Sequence, residues 1–298
     1  MKKLLLAVVV LFSCEYLFSQ TETSDFNYFP KPEYNAIIAE SNDFENGTTL
    51  EKIVIDGFDS RVPFYYITGN NKEEDKFIIL LHGITGSKDG WIYPMTSLSE
   101  KYVTLKDSFL ELGYTIIIPD AKYHGERSYE ADFVSPINFA SNQDAQSIYN
   151  LFATTIKDIR IIMDYIESKS TFKTQSFDVI GYSMGGQMAI LLNSVDRRLN
   201  RVIACVPPLD AKKTGMRLGM IEEKTKGLDV ISPKNYATKQ IAPIYLLMGT
   251  EDGWYTKSEA QDFYDKISIK DKTLKFYESG HYLPESFIND AIEGITKE

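Results

Sequence analysis

The chain has 298 residues, 43% hydrophobic and 25% charged, with a formal net charge of −10. That balance is ordinary for a globular protein and leaves room for one α/β domain of roughly 270 residues. It excludes collagen-like, heptad and low-complexity architectures, and an acidic chain without a basic cluster is not built for non-specific binding to nucleic acid or anionic membranes.

Met1-Lys2-Lys3 is a short basic start, followed by the apolar run Leu4 to Phe12. The run is too short to span a bilayer and has the form of an export signal peptide over residues 1–19. Leu17-Phe18-Ser19 before Gln20 suits cleavage after Ser19. The rival site, Leu11-Phe12-Ser13-Cys14, resembles a bacterial lipobox but carries a bulky Phe12, so membrane attachment is expected only if Cys14 is lipidated. Cleavage after Ser19 removes Lys2, Lys3 and Glu15, which moves the charge from −10 to −11. The expected destination is the periplasm or the cell exterior.

Cys205 is then the only cysteine left, so no intramolecular disulfide can form. Its place in the apolar run Val202 to Val206 suits a buried, inert thiol. The three histidines, His82, His124 and His281, show no ligand spacing, and neither a metal nor a cofactor is expected.

Residues 20–50 are polar, contain Pro30 and Pro32, and read as a loose N-terminal arm before a catalytic domain over 51–298. Glu51 to Ile55 and Arg61 to Thr68 alternate apolar and polar around Asp56-Gly57, an edge-hairpin pattern. Leu274 to Tyr277 reads as a shorter last strand, and from Phe77 the pattern before it changes to apolar runs: Phe77 to Leu81, Tyr114 to Ile118, Phe177 to Ile180, Val202 to Val206 and Ile244 to Met248. Such runs are strands buried on both faces. Helical segments lie between them, clearest from Ser147 to Ser168, where Ile148, Leu151, Phe152, Ile156, Ile159, Met163 and Ile166 recur at three- and four-residue spacing. The alternation implies a mostly parallel sheet covered by helices on both faces.

Residues 126–146 and 208–241 break the alternation where the chain leaves C-terminal strand ends, the side on which open α/β sheets bind ligands. Both are candidates for walls or a small lid. The second carries Met216, Leu218, Met220 and Ile221, and thioethers suit an adaptable apolar pocket.

The run Phe177 to Ile180 ends in Gly181-Tyr182-Ser183-Met184-Gly185-Gly186 and passes into helix-compatible residues from Gln187. A serine between glycines at a sharp strand-to-helix turn has the form of a nucleophile elbow. Its hydroxyl needs a base to take its proton and a carboxylate to orient that base. His82, His124 and His281 are the candidate bases, and Glu251 and Asp252, in Gly249-Thr250-Glu251-Asp252, the candidate acids.

Taken together, His82-Gly83, Asp120 to Gly125, Gly181 to Gly185, Asp252 and His281 resemble the α/β-hydrolase family over roughly residues 51–296. Within it the chain looks like the esterase and dienelactone-hydrolase-like or prolyl-oligopeptidase-like catalytic domains. The resemblance implies an α/β-hydrolase fold with a mostly parallel twisted sheet. The family's order of nucleophile, acid, histidine makes Ser183 the nucleophile and leaves His281 as the base, since no other histidine follows Ser183. Asp252 matches the family's Gly-x-x-Asp, with Glu251 as the fallback. The oxyanion would be held by the N–H groups of Met184 and Ile84, Gly83 permitting an unusual backbone there, while His82 holds that loop. Asp120 to Ser128 is similar to the family's Asp-x-Arg-x-His-Gly-x-Ser turn but has Lys122 for arginine and Glu126-Arg127 before Ser128, which makes His124 a structural or pocket-edge residue.

The function implied is a secreted serine hydrolase cleaving small-molecule carboxylic esters through an acyl-enzyme. A prolyl-oligopeptidase-like peptidase, a lipase and a non-catalytic binding module are the rivals. Trp91, Tyr93, Tyr123, Trp254 and Tyr255 fall in loops at the same face, where packing is favoured over stacking on a substrate ring.

Overall fold

Phe77 to Leu81 offers no polar face to water, so it is stable only with both faces covered. A computed structural model, which describes residues 24–73, 76–169 and 176–297, places this run near the middle of one nine-stranded sheet. The strands are β1 (Ala36–Asp43), β2 (Thr49–Asp56), β3 (Arg61–Thr68), β4 (Lys76–Leu81), β5 (Thr115–Pro119), β6 (Ser176–Tyr182), β7 (Leu199–Cys205), β8 (Ile244–Gly249) and β9 (Lys272–Tyr277). Their order is β1-β2-β3-β5-β4-β6-β7-β8-β9. β1, β2, β3 and β5 pair antiparallel; from β5 through β9 every pair is parallel.

The helices are α1 (Ser97–Glu111), α2 (Ala145–Lys169), α3 (Met184–Asn193), α4 (Ala211–Arg217), α5 (Lys257–Lys266) and α6 (Phe287–Thr296). α1 packs with α6 and α2 with α3. The apolar stripe of α2, including Leu151, Ile156, Ile159 and Met163, is buried, as its spacing requires. Capping boxes start α1 at Thr96 and α5 at Thr256. The fold is the α/β-hydrolase fold, with the excursions 126–146 and 208–241 folded into short helical turns and α4.

The export signal, the cleavage site at Ser19 and the Cys14 alternative lie outside the described residues. Among the described residues, no helix is long and apolar enough to cross a membrane. Cys205 is free and buried, and burial pushes its thiol pKa up, so it holds little thiolate.

Residues 24–50, the described part of the segment expected as a loose arm over 20–50, are docked on the domain. Ala36–Asp43 pairs with β2 along its length, from Ala36 opposite Ile55 to Asp43 opposite Thr49. Both faces of this edge strand are largely exposed, so its sequence has no apolar alternation to read. Upstream, Phe26 is fully buried against Tyr236, and Arg160 donates to the Phe26 carbonyl at 2.9 Å. The Tyr28 and Tyr34 hydroxyls both donate to Asp164 Oδ2 at 2.7 Å. A few aromatic anchors in a polar stretch therefore dock the segment.

Asp178, in the parallel part of the sheet, is buried and accepts from Asn200 Nδ2 at 3.0 Å. Burial pushes its pKa up to about 7, against the lowering effect of Asn200, Tyr114 and Arg201. The folded state thus holds a proton that the unfolded chain releases near pH 4. The stability this group contributes is complete below that pH, declines as pH rises, and is gone above about 7. Asp178→Asn should remove this slope: the Tm of wild type relative to the variant should fall between pH 4 and pH 7 and level off above it, as measured by calorimetry.

Candidate active site

β6 and α3 meet at Ser183 more closely than side chains permit. A Cβ on Gly181 would stand 2.0 Å from the Gly185 carbonyl oxygen, and one on Gly185 would stand 2.3 Å from the Leu81 carbonyl oxygen. Only glycine fits at either position. Ser183 itself takes φ 56° and ψ −116°, a conformation that costs energy in any residue with a side chain. Its N–H donates to the Cys205 carbonyl at 2.8 Å and its carbonyl accepts from Gln187 N–H at 3.0 Å, which holds the turn in place.

His281 comes from the loop between β9 and α6. Its Nε2 lies 2.8 Å from Ser183 Oγ and its Nδ1 lies 2.7 Å from Asp252 Oδ2. Asp252 follows β8, and its other carboxylate oxygen accepts from Trp254 N–H at 2.8 Å. The Asp252 and His281 loops are pinned together, Thr250 N–H donating to the Tyr277 carbonyl at 2.9 Å and Glu251 N–H to that of Ser279 at 3.0 Å. A Cβ at Gly249 would stand 2.2 Å from the Gly280 carbonyl oxygen, so glycine is required here too. The structure thus brings Ser183, His281 and Asp252 together; Glu251 meets that loop through its backbone.

Tyr182, next to Ser183, binds the histidine loop from the other side. Its hydroxyl donates to the His281 carbonyl at 2.8 Å and accepts from Leu283 N–H at 2.9 Å. Sequence reading missed this residue, which occupies the variable position of the Gly-x-Ser-x-Gly pattern.

Ile84 and Met184 both line the cavity at Ser183. Met184 is the first residue of α3, where backbone N–H groups have no partner within the helix. Ile84 N–H donates to no protein acceptor among the described residues. Gly83 does not take the unusual backbone expected of it: its φ is not positive, and an added Cβ would meet Ser183 Cβ at an ordinary 3.7 Å.

Two buried histidines support the Ile84 loop. His82 Nε2 accepts from Ala121 N–H at 3.2 Å, so its proton sits on Nδ1, which donates to the Gly83 carbonyl at 2.9 Å. His124 lies between the carbonyls of Lys122, 2.9 Å from Nδ1, and Ile84, 2.8 Å from Nε2. Burial pushes both pKa values down to about 4, and a neutral His124 has one N–H for its two carbonyls, so it ties Ile84 when that proton sits on Nε2. His124 thus holds the residue after Gly83 in register with the 120–125 turn.

Charge pairs hold that turn from beneath. Lys88, fully buried, donates to Asp120 Oδ2 at 3.0 Å and pairs with Glu126 at 2.6 Å. Arg127, also fully buried, donates to Asp158 and to Glu130, each at 2.9 Å, while Lys122 pairs with Glu130 at 2.8 Å and Asp59 at 3.0 Å. The buried guanidinium therefore comes from Arg127, and Lys122 occupies a neighbouring buried site.

A cavity of about 320 Å³ opens at Ser183. Both excursions wall it, residues 126–146 through Pro136, Ile137 and Ala140, and residues 208–241 through Ala211, Gly215 and Leu218. The expected methionines do not: Met216 points to solvent and Met220 packs in the core. Of the five loop aromatics only Trp254 lines the cavity; Trp91 is buried and stacked on Tyr102, Tyr123 packs on Phe139, and the Tyr255 hydroxyl accepts from Gly249 N–H at 2.8 Å. Gln143 fastens the two excursions together, Nε2 donating to the Gly219 carbonyl and Oε1 accepting from Ile221 N–H, each at 2.8 Å.

The sheet and the strand–turn–helix at Ser183 define an α/β-hydrolase domain. The sequence model of the dienelactone hydrolase family matches residues 64–292, and the chain belongs to that family. The protein YitV of Bacillus subtilis (strain 168) is 25% identical over 132 residues; the match spans 43% of this chain and 43% of YitV, less than half of that relative's length. Among solved structures, acetyl xylan esterase 1 from Thermoanaerobacterium sp. JW/SL YS485 is similar with a TM-score of 0.65 at 16% identity, over 89% of this chain and 87% of that one. A cold-adapted esterase from an Arctic intertidal metagenomic library is similar with a TM-score of 0.64 at 16% identity, over 88% and 99% of the two chains. At these identities the likeness is one of fold.

Asp252→Asn should leave the Ser183–His281 spacing intact but lower kcat on an activated ester by about 10⁴-fold, through loss of the correct histidine tautomer. Glu251→Gln should stay within about twofold of wild type. Gln143→Ala removes the two hydrogen bonds that join the excursions, worth about 1 kcal/mol each, and should raise KM by about tenfold with kcat little changed, read from steady-state kinetics.

Proposed function

We propose that this protein is a serine hydrolase that cleaves carboxylic esters outside the cytoplasm through an acyl-enzyme. One contact carries the assignment: His281 reaches Ser183 Oγ at 2.8 Å with one ring nitrogen and Asp252 at 2.7 Å with the other. In this mechanism His281 Nε2 takes the Ser183 proton as Oγ attacks the ester carbonyl carbon. Asp252 keeps the Nδ1–H in place and stabilises the imidazolium that forms. The carbonyl oxygen becomes an oxyanion and is received by the N–H groups of Ile84 and Met184, each worth about 3–4 kcal/mol if such a donor is preorganised. Collapse of the intermediate expels the alcohol with the proton from His281. Water, deprotonated by the same nitrogen, then releases the acid and frees Ser183.

Family membership and the esterases among structurally similar proteins favour esters over amides. Export is supported by the basic start and apolar run of residues 1–12. A panel of p-nitrophenyl esters and aminoacyl-p-nitroanilides tests the function. Wild type should turn over esters and label with a fluorophosphonate probe, and Ser183→Ala should lose both by at least about 10³-fold. Turnover of anilides alone would replace the esterase with a peptidase, and neither turnover nor labelling would leave a binding module.

A further inference from the structure

The cavity beside Ser183 has a chemistry narrower than ester hydrolysis requires. It measures about 320 Å³ and, among the described residues, no Asp, Glu, Lys or Arg side chain lines it. That is roughly the volume of ten water molecules. A two-carbon acyl group would leave most of it filled with water against apolar walls. A charged acyl group would be desolvated there without a partner, which is strongly unfavourable.

The position of His281 assigns the two ends of the substrate. The leaving oxygen must reach His281 Nε2 to collect its proton, so the alcohol lies beside His281, Trp254 and Tyr282. His281 precedes α6, which packs with α1, whereas α2 packs with α3 and with the 208–241 excursion. The acyl chain therefore points away from His281, into the part of the cavity walled by Leu151 and Phe152 of α2, Ile137 and Leu218. Leu151 and Phe152 are buried on a regular helix, and the Gln143 clasp ties the two excursions that carry Ile137 and Leu218. The pocket is thus formed before substrate arrives.

Resting on the esterase assignment above, we propose that the natural substrates are esters of uncharged aliphatic acids of about six to eight carbons, held by the α2 side of this cavity. Each methylene buried there gains about fourfold in transition-state binding. kcat/KM on p-nitrophenyl esters should therefore rise from acetate to hexanoate or octanoate by at least about tenfold. Leu218→Trp and Ile137→Trp, at partly exposed positions that tolerate bulk, should each lower the octanoate-to-acetate ratio of kcat/KM by at least about tenfold. Succinate monoesters, which carry a charge at the acyl end, should be poor substrates. Acetate as the best acyl group, or an unchanged ratio in both tryptophan variants, overturns the acyl assignment while leaving the serine hydrolase in place. Absence of any ester turnover together with absence of fluorophosphonate labelling overturns both.

Discussion

A Cβ at Gly181 would stand 2.0 Å from the Gly185 carbonyl oxygen, so strand and helix touch backbone to backbone at the end of β6. This contact gives the turn its sharpness and lifts Ser183 into a strained conformation above the sheet. The neighbouring parallel strands absorb the strain. Ser183 N–H is held by β7 through the Cys205 carbonyl, and Gly185 presses on the end of β4 at Leu81. The central strands therefore hold the elbow directly, and the His82–Gly83–Ile84 loop begins where β4 ends.

The other groups are placed relative to that point by short connections. Tyr182 fixes the histidine loop from the last position of β6, directly before the serine, so serine and imidazole are set by adjacent residues. The Asp252 loop reaches the same place because Gly249 lets it lie against Gly280. On the Ile84 side His82 and His124 tie Gly83 and Ile84 to the 120–125 turn, and the buried Lys88–Asp120 and Arg127–Asp158 pairs hold the turn in its own place. Buried pairs of this kind add little net stability, but losing one partner leaves a charge stranded in the interior.

The sheet was legible because its strands are apolar on both faces and its long helix is apolar on one. Ser183 and Asp252 were legible because each follows a buried strand, and His281, after the mostly half-buried β9, because few histidines exist to choose from. Other features left no periodic trace. β1 is stabilised by backbone pairing and buries almost no side chain, so its residues look like a linker. Phe26, Tyr28 and Tyr34 act singly, through partners more than a hundred residues away. The cavity walls were placed in the right excursions, but of the four residues named in the second only Leu218 lines the cavity. Which side of a short helical turn faces inward depends on tertiary contacts, and Leu218 turns in where Met216 turns out. Gln143 and Arg127 likewise act through partners that only the folded chain brings near.

The outer strand of the sheet has a consequence for life at high concentration. β1 ends the sheet with Ile37 and Ile38 exposed, the arrangement that recruits a strand from a neighbouring molecule. Its pairing with β2 is interrupted between Ile38 and Glu40, and Glu40 pairs with Lys52 on β2. The irregularity bends the ribbon just after its two isoleucines, and a carboxylate follows at once. An incoming strand would meet a kink and a charge within three residues of the apolar pair. The edge is thereby guarded against growth into fibrils without a covering helix.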